Sequence, residues 1–219
     1  SELKGIKAYG NVKLKISKQS LNSFLKYGYI SAPHTIYENI HQLQSGEIIS
    51  FNYSKKPKKR HYWNSNEQAQ ISRKNIFNGN YSDAVNYIEN VILESVDNHL
   101  ISDVKVGTFL SGGIDSTLVT AMAQKNSSVS IDSYTIGFEN NLFDESKYSR
   151  IIAKKLKTNH HEFILDSKEL ENSIYELPSI FNEPFGDSSS LPTLLLSKKT
   201  ASNVKVALSG DGGDEMFAG

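Results

Sequence analysis

Two short stretches carry the residues that could do chemistry. In the first, Ser111-Gly-Gly-Ile-Asp-Ser116 follows the strand-like run Val104-Lys-Val-Gly-Thr-Phe-Leu110 and leads into Thr117-Leu-Val-Thr-Ala-Met-Ala-Gln124, which holds neither Gly nor Pro. A strand, a tight loop of small residues and a helix start form the geometry that holds phosphates. Gly112 and Gly113 let the backbone come close to a ligand. The first-turn N–H groups are donors without helical partners, and Ser111 and Ser116 add hydroxyl donors. Asp115 sits inside this anion-binding loop, where it would repel phosphate unless a cation lay between them, so it points to Mg2+. In the second stretch, Ser209-Gly-Asp-Gly-Gly-Asp-Glu215, two carboxylates, Asp211 and Asp214, stand on a glycine-rich turn after a buried-type strand. They repel each other unless something cationic compensates, which favours a site role for both.

Other phosphate loops do not fit. No Gly-Lys-Ser/Thr follows the glycines, so the loop is not of the Walker type. The dinucleotide pattern G-x-G-x-x-G is also missing at this place.

The elements that must position these loops can be read from the pattern. Ile131 to Phe138 alternates as a strand, Asp144-Glu145-Ser146 can cap a helix over Lys147 to Leu156, and His160 to Leu165 reads as a further strand. Lys168 to Leu177 reads as helix and Val204 to Leu208 as strand. Strands alternating with helices predict an α/β fold, a parallel sheet with helices on both faces. Ligands bind at the carboxyl ends of such strands, where both glycine-rich stretches fall. Upstream, Tyr81 to Leu100 is a helix with an apolar stripe of Val85, Ile88, Val91, Ile92, Val96 and Leu100, capped by Ser82 or Asp83. Asn64 to Asn80 is polar and reads as a linker. The first 63 residues read as a small α+β piece. It has a helix from Ser17 or Ser20 to Lys26 and a hairpin of Ile40–Leu43 with Glu47–Tyr53, and the basic run Lys55 to Arg60 is read as a solvated turn.

Ser111-Gly-Gly-Ile-Asp-Ser116 resembles the pyrophosphate loop of the ATP pyrophosphatases. Val204-Lys-Val-Ala-Leu-Ser-Gly-Asp-Gly-Gly-Asp-Glu-Met-Phe-Ala-Gly219 resembles the L-S-G-[DE]-G-x-D-E-[LM]-F segment of the glutamine-hydrolysing asparagine synthetases. Leu25-Lys-Tyr-Gly-Tyr-Ile-Ser-Ala-Pro-His-Thr-Ile36, the Leu43-Gln-Ser-Gly-Glu turn and Tyr62-Trp63 are similar to the exit of that family's glutaminase domain. The likeness covers nearly the whole chain but only the middle of the family's full length. It implies three parts: residues 1–63 as a glutaminase remnant, 64–80 as a linker, and 81–219 as the beginning of the synthetase domain.

The resemblance implies ATP-dependent amidation of a carboxylate through an acyl-adenylate, with aspartate converted to asparagine, nitrogen from glutamine or ammonia, and AMP and pyrophosphate as products. By resemblance, Asp214 joins Asp115 on Mg2+, and Asp211 stands where the family has an acidic residue near the reacting carboxylate. The backbone of Leu110, Ile136, Ser209 and Gly210 would line the adenosine pocket beside Ser111, Gly112, Gly113 and Ser116. Asn182 to Thr193 resembles the D-E-P-x-x-D-S-S segment near the acyl-acceptor site, so Asp187, Ser188 and Ser189 either bind the acceptor or cap a loop. Asp144 and Glu145 also match a family position, where helix capping is favoured. The family shares His160-His161-Glu162. Adjacent strand residues point to opposite faces, so the histidines read as packing groups rather than a shared metal site. The family's nucleophilic N-terminal cysteine has no counterpart, and no glutamine hydrolysis is expected of this polypeptide. The chain opens without an initiator Met, which reads as trimmed. The family continues past this region with a lysine and an arginine facing the adenylate, so the piece as given is expected not to complete the reaction.

Composition narrows the alternatives. The 219 residues balance 24 basic against 24 acidic groups, which argues against nucleic-acid binding as the main activity. There is no cysteine, hence no disulfide framework, cysteine zinc site or thiolate nucleophile within these residues. No apolar run is long enough to cross a bilayer and no signal peptide opens the chain, which fits a cytoplasmic protein. A homodimer is compatible with this reading. The rivals are an amidotransferase on a surface-sugar acid, a β-lactam synthetase, a pyrophosphatase of tRNA or sulfur chemistry, and a fragment that only binds nucleotide.

Overall fold

The computed structural model describes residues 2–139 and 144–217; Ser1 and the Ala218-Gly219 end of the second motif lie outside the described residues. In chain order the first elements are α1 (Leu3–Tyr9), α2 (Lys18–Tyr27), β1 (Glu47–Asn52), β2 (Lys55–His61), α3 (Ser65–Lys74) and α4 (Tyr81–Leu100). Next come β3 (Val106–Phe109), α5 (Ile114–Asn126), β4 (Asp132–Phe138), α6 (Ser146–Leu156), β5 (Asn159–Leu165) and α7 (Ser167–Ile174). The chain closes with α8 (Leu177–Ile180), α9 (Ser190–Thr200), β6 (Val206–Leu208) and α10 (Gly213–Phe217). It forms two compact units, residues 2–78 with 176–188, and 79–175 with 189–217.

The second unit is an α/β layer structure. Its four strands are all parallel in the order β5-β4-β3-β6, in register Gly107 with Asp132 and Ala207, and Tyr134 with His161. Helices flank the sheet, α5 on β3, α6 on β4 and β5, and α9 on β4. The sheet and these helices meet through small side chains: Thr108, Thr120, Ser133, Ser146, Ser149, Ala123 and Ala153 are all buried. Short side chains let a helix lie close to the sheet. The apolar core joins Val96 of α4 to Met122 and Ala123 of α5, with Ile92, Leu100, Leu118 and Leu208 around them. Only the second half of the α4 stripe takes part, since Val85, Ile88 and Val91 remain exposed. The cap of α4 is Asn80 rather than Ser82 or Asp83. Asn80 accepts from the Asp83 N–H at 3.0 Å, and Asp83 returns the bond from Asn80 N–H at 3.1 Å, a reciprocal capping box.

In the first unit, Ser17 caps α2 by accepting from Ser20 N–H at 3.2 Å. The hairpin lies further along the chain than its sequence suggests. Glu47–Asn52 pairs antiparallel with Lys55–His61 around the Tyr53-Ser54 turn, while Ile40 to Leu43 forms no strand. The basic run is therefore a fully exposed strand, and Pro57 sits where an edge strand tolerates it. The polar segment read as a linker holds α3, whose Asn64 cap accepts from the N–H groups of Asn66 and Glu67.

Candidate active site

The first glycine-rich loop begins where β3 ends. Leu110 N–H donates to the Tyr134 carbonyl at 2.9 Å, and the Leu110 carbonyl accepts from the Thr135 hydroxyl. This pins the loop's first residue to β4 and buries Leu110 to 1% exposure. Ile136, two residues further along β4, is half-buried. The two serines then brace the loop from within. The Ser116 and Ser111 hydroxyl oxygens lie 2.9 Å apart. Ser116 Oγ accepts from Ser111 N–H at 3.2 Å and donates toward the Gly113 carbonyl at 3.3 Å, and Gly113 N–H donates to Ser111 Oγ at 3.3 Å. Ser116 is buried by this role, whereas Ser111 stays exposed. Among the described residues no side chain caps α5, so the amides of its first turn can serve a ligand or water.

Gly112 has φ +91, a conformation that suits glycine. A Cβ there would stand 3.0 Å from Tyr148 Cβ and 3.2 Å from Ser149 N, so the first turn of α6 packs on the loop. Tyr148 and Ser149 are not singled out by the sequence. Their one signal is the Asp144 cap, whose Oδ1 accepts from Ser146 N–H at 3.0 Å and starts α6 after β4. Hydrogen bonds from the Ser146 side chain and backbone hold the Asp144 carboxyl below its usual range.

The second glycine-rich loop follows β6 and meets the first. A Cβ on Gly210 would stand 2.6 Å from Ser116 N and 3.0 Å from Asp115 Cβ. A Cβ on Gly213 would overlap the Asp115 carboxylate, 2.6 Å from its Oδ2. Only hydrogen at these two α-carbons lets the loops touch. Asp115 thus lies against the backbone of Gly213, next in sequence to Asp214. Gly213 N–H donates to the Gly210 carbonyl at 3.2 Å and closes the turn. Ser209 Oγ donates to Asp211 Oδ2 at 3.0 Å, which orients that exposed carboxylate. The structure brings together Ser111, Gly112, Gly113, Asp115, Ser116, Gly210 and Gly213. Asp187 and Ser188 belong to the other unit, and Ser189 stands at the amino end of α9.

The histidine pair has separate duties. His160 Nδ1 lies 2.9 Å from Ser133 Oγ, and burial lowers the pKa of the ring. His161 stacks on Tyr134 at 4.8 Å and places Nε2 2.9 Å from Asp132 Oδ1. Asp132 is 1% exposed at the amino end of β4, the opposite end of the sheet from the glycine loops. Burial pushes its pKa up, but Lys105, His161 and Asn159 together outweigh this and hold it below the usual carboxylate range. This network is not apparent in the sequence, because its members lie 27 to 29 residues apart across two strands, with Lys105 just before β3.

The chain is similar to known proteins along its length. The asparagine synthase family model matches residues 87–219, and a glutamine amidotransferase domain model matches residues 1–63. The chain is 34% identical to a putative glutamine-hydrolysing asparagine synthetase of Methanocaldococcus jannaschii over all of its own length and 42% of that protein. It is 27% identical to asparagine synthetase 1 of Bacillus subtilis over 94% of the chain and 31% of that protein. Among solved structures, the NH3-dependent NAD synthetase of Campylobacter jejuni covers 60% of the chain and 58% of its own, at 16% identity and a TM-score of 0.44. The chain spans less than half the length of the curated relatives it matches. With the family model matching more than half of it, the chain belongs to the asparagine synthase family.

Proposed function

We propose that the second unit carries the nucleotide site of an ATP-dependent amidation, in which a carboxylic acid, aspartate foremost, attacks the α-phosphorus of ATP and ammonia then displaces AMP from the acyl-adenylate. The observation that carries this reading is the meeting of the two glycine loops, with Asp115 against Gly213 and Ser116 N against Gly210. An uncapped helix start beside a loop of small residues supplies N–H donors for the leaving pyrophosphate. The Leu110, Ile136, Ser209 and Gly210 backbone is assigned to adenosine, and Asp187, Ser188 and Ser189 to the acceptor acid. Asp211, oriented by Ser209, is the acidic residue facing the reacting carboxylate.

The residues present fit Mg2+. The Asp115 carboxylate is drawn onto a Cα that carries no side chain, one residue from Asp214, and both offer the hard oxygen donors this ion takes. When bound, the ion would neutralise charge on the pyrophosphate; the chain's own part is to hold two carboxylates at the mouth of an amide-lined loop. By this reading residues 1–63 are the closing part of the amidotransferase domain that supplies ammonia from glutamine.

The test is exchange of labelled pyrophosphate into ATP, screened over candidate acids with the full-length protein. Exchange that depends on aspartate supports the reading. Exchange with a different acid replaces the acceptor, and no exchange with any acid overturns the adenylation chemistry.

A further inference from the structure

The segment 176–188 leaves the second unit after α7 and returns to it at α9, yet it packs in the first unit. Contacts along the segment hold it there. Lys4 N–H donates to Asn182 Oδ1 at 2.8 Å. Lys4 Nζ donates to the carbonyls of Ser179 at 3.3 Å and Ile180 at 3.0 Å, the open end of α8. The half-buried Glu183 carboxylate accepts from the Ile36 N–H. Gly186 N–H donates to the Gly28 carbonyl at 2.6 Å. At this contact Gly28 has φ +80, a conformation that suits glycine, and a Cβ on Gly186 would meet the Gly28 Cα at an ordinary contact distance of 3.5 Å. Phe181 and Phe185 meet edge to face at 4.5 Å and stiffen the turn between these anchors.

Asp187 and Ser188 follow directly on the last anchor. The conformation available to them is set by where Glu183 and Gly186 are held, since only two peptide units separate Ser188 from Gly186. The anchoring groups on the other side, Ile36 and Gly28, belong to the stretch Leu25 to Ile36, whose resemblance is to a different domain from that of the loop itself. Ile36 is itself buried at 7% exposure, so its N–H has little access to water, and a carboxylate is a strong acceptor for it.

We propose that Glu183 is a positioning residue for the acceptor loop: its carboxylate, on the Ile36 N–H, fixes the run Gly186-Asp187-Ser188 that the acid would contact. This rests on the assignment of that run to the acceptor. A glutamine at 183 retains a neutral oxygen acceptor for the same N–H, whereas an alanine retains none.

Two measurements on the protein test it. The first is amide hydrogen exchange of the chain as it stands. Glu183→Ala should speed exchange at Ile36 and at residues 186–188 by about ten-fold, the scale of one lost charge-assisted bond, while β3 and β4 keep their protection. Glu183→Gln should recover part of that protection. Unchanged protection at 186–188 in Glu183→Ala, or loss spread over β3 and β4, overturns the positioning role. The second measurement is pyrophosphate exchange in the full-length protein. There, Glu183→Ala should raise the KM for the acid by about ten-fold with the KM for ATP unchanged, and Glu183→Gln should fall between. Equal movement of both KM values contradicts a role at the acceptor. Absence of exchange in every variant would sink the adenylation reading and leave the hydrogen-exchange result to decide the positioning claim.

Discussion

At the residue scale, two glycines decide whether the glycine loops form one site. Gly210 and Gly213 are not needed for positive φ; they are needed because Ser116 N and the Asp115 carboxylate occupy the space of their side chains. Gly210→Ala should therefore destabilise the fold by about 1–3 kcal/mol, the usual cost of forcing extra bulk into a packed contact. Thermal or urea unfolding reads this directly, and an unchanged midpoint would mean the loops part easily. The carboxylates Asp115, Asp211 and Asp214 could be picked out of the sequence because a cluster of like charge on small residues is unusual without a cation. The inward turn of Ser116 could not be, since a hydroxyl carries no mark of whether it will face a ligand or its own loop. The meeting of Gly210 with Ser116, 94 positions earlier, needs the strand order before it can be seen.

At the element scale, the clear periods were the ones that could be read. α4 runs from Tyr81 to Leu100 as its apolar spacing suggests, and β4 and β5 fall within one residue of the expected stretches. β2 could not be read, because Lys55 to His61 offers no apolar alternation; it is a strand only through backbone pairing with β1. The amino end of β4 holds a second feature of this kind, the buried Asp132 with Lys105, His161 and Asn159. Because the folded-state pKa of Asp132 is lowered, the folded protein binds its proton less readily than the unfolded chain. Its contribution is fully present above the unfolded carboxylate pKa and is lost as pH falls through the folded one. Asp132→Asn should lower the unfolding free energy by about 1–3 kcal/mol near neutral pH, with the gap to the wild type closing below about pH 4. Denaturant unfolding across that range checks both. A constant gap would show that the carboxylate's charge is not what Lys105 and His161 hold.

At the scale of the whole molecule, the strand order brings the two loops of the proposed site side by side. From β3 the chain passes to β4 and β5 on one side and returns through β6 on the other. The loops after β3 and β6 are therefore neighbours at the carboxyl ends of adjacent strands, at a point where the order of the sheet reverses, and such points open a crevice for ligands. The alternation of strands and helices made the parallel sheet legible, but four short strands do not state their own order. The division into two units was legible only in part, since the return of residues 176–188 to the first unit depends on the anchors at Lys4, Gly28 and Ile36. Calorimetric titration of MgATP into the chain and into its Asp115→Ala variant asks whether the two glycine loops are one Mg2+-dependent phosphate site. The variant, folded as judged by an unchanged unfolding midpoint, should bind about ten-fold or more weakly, and the difference should disappear when Mg2+ is withheld. Equal affinity of the two proteins in the presence of Mg2+ would contradict it.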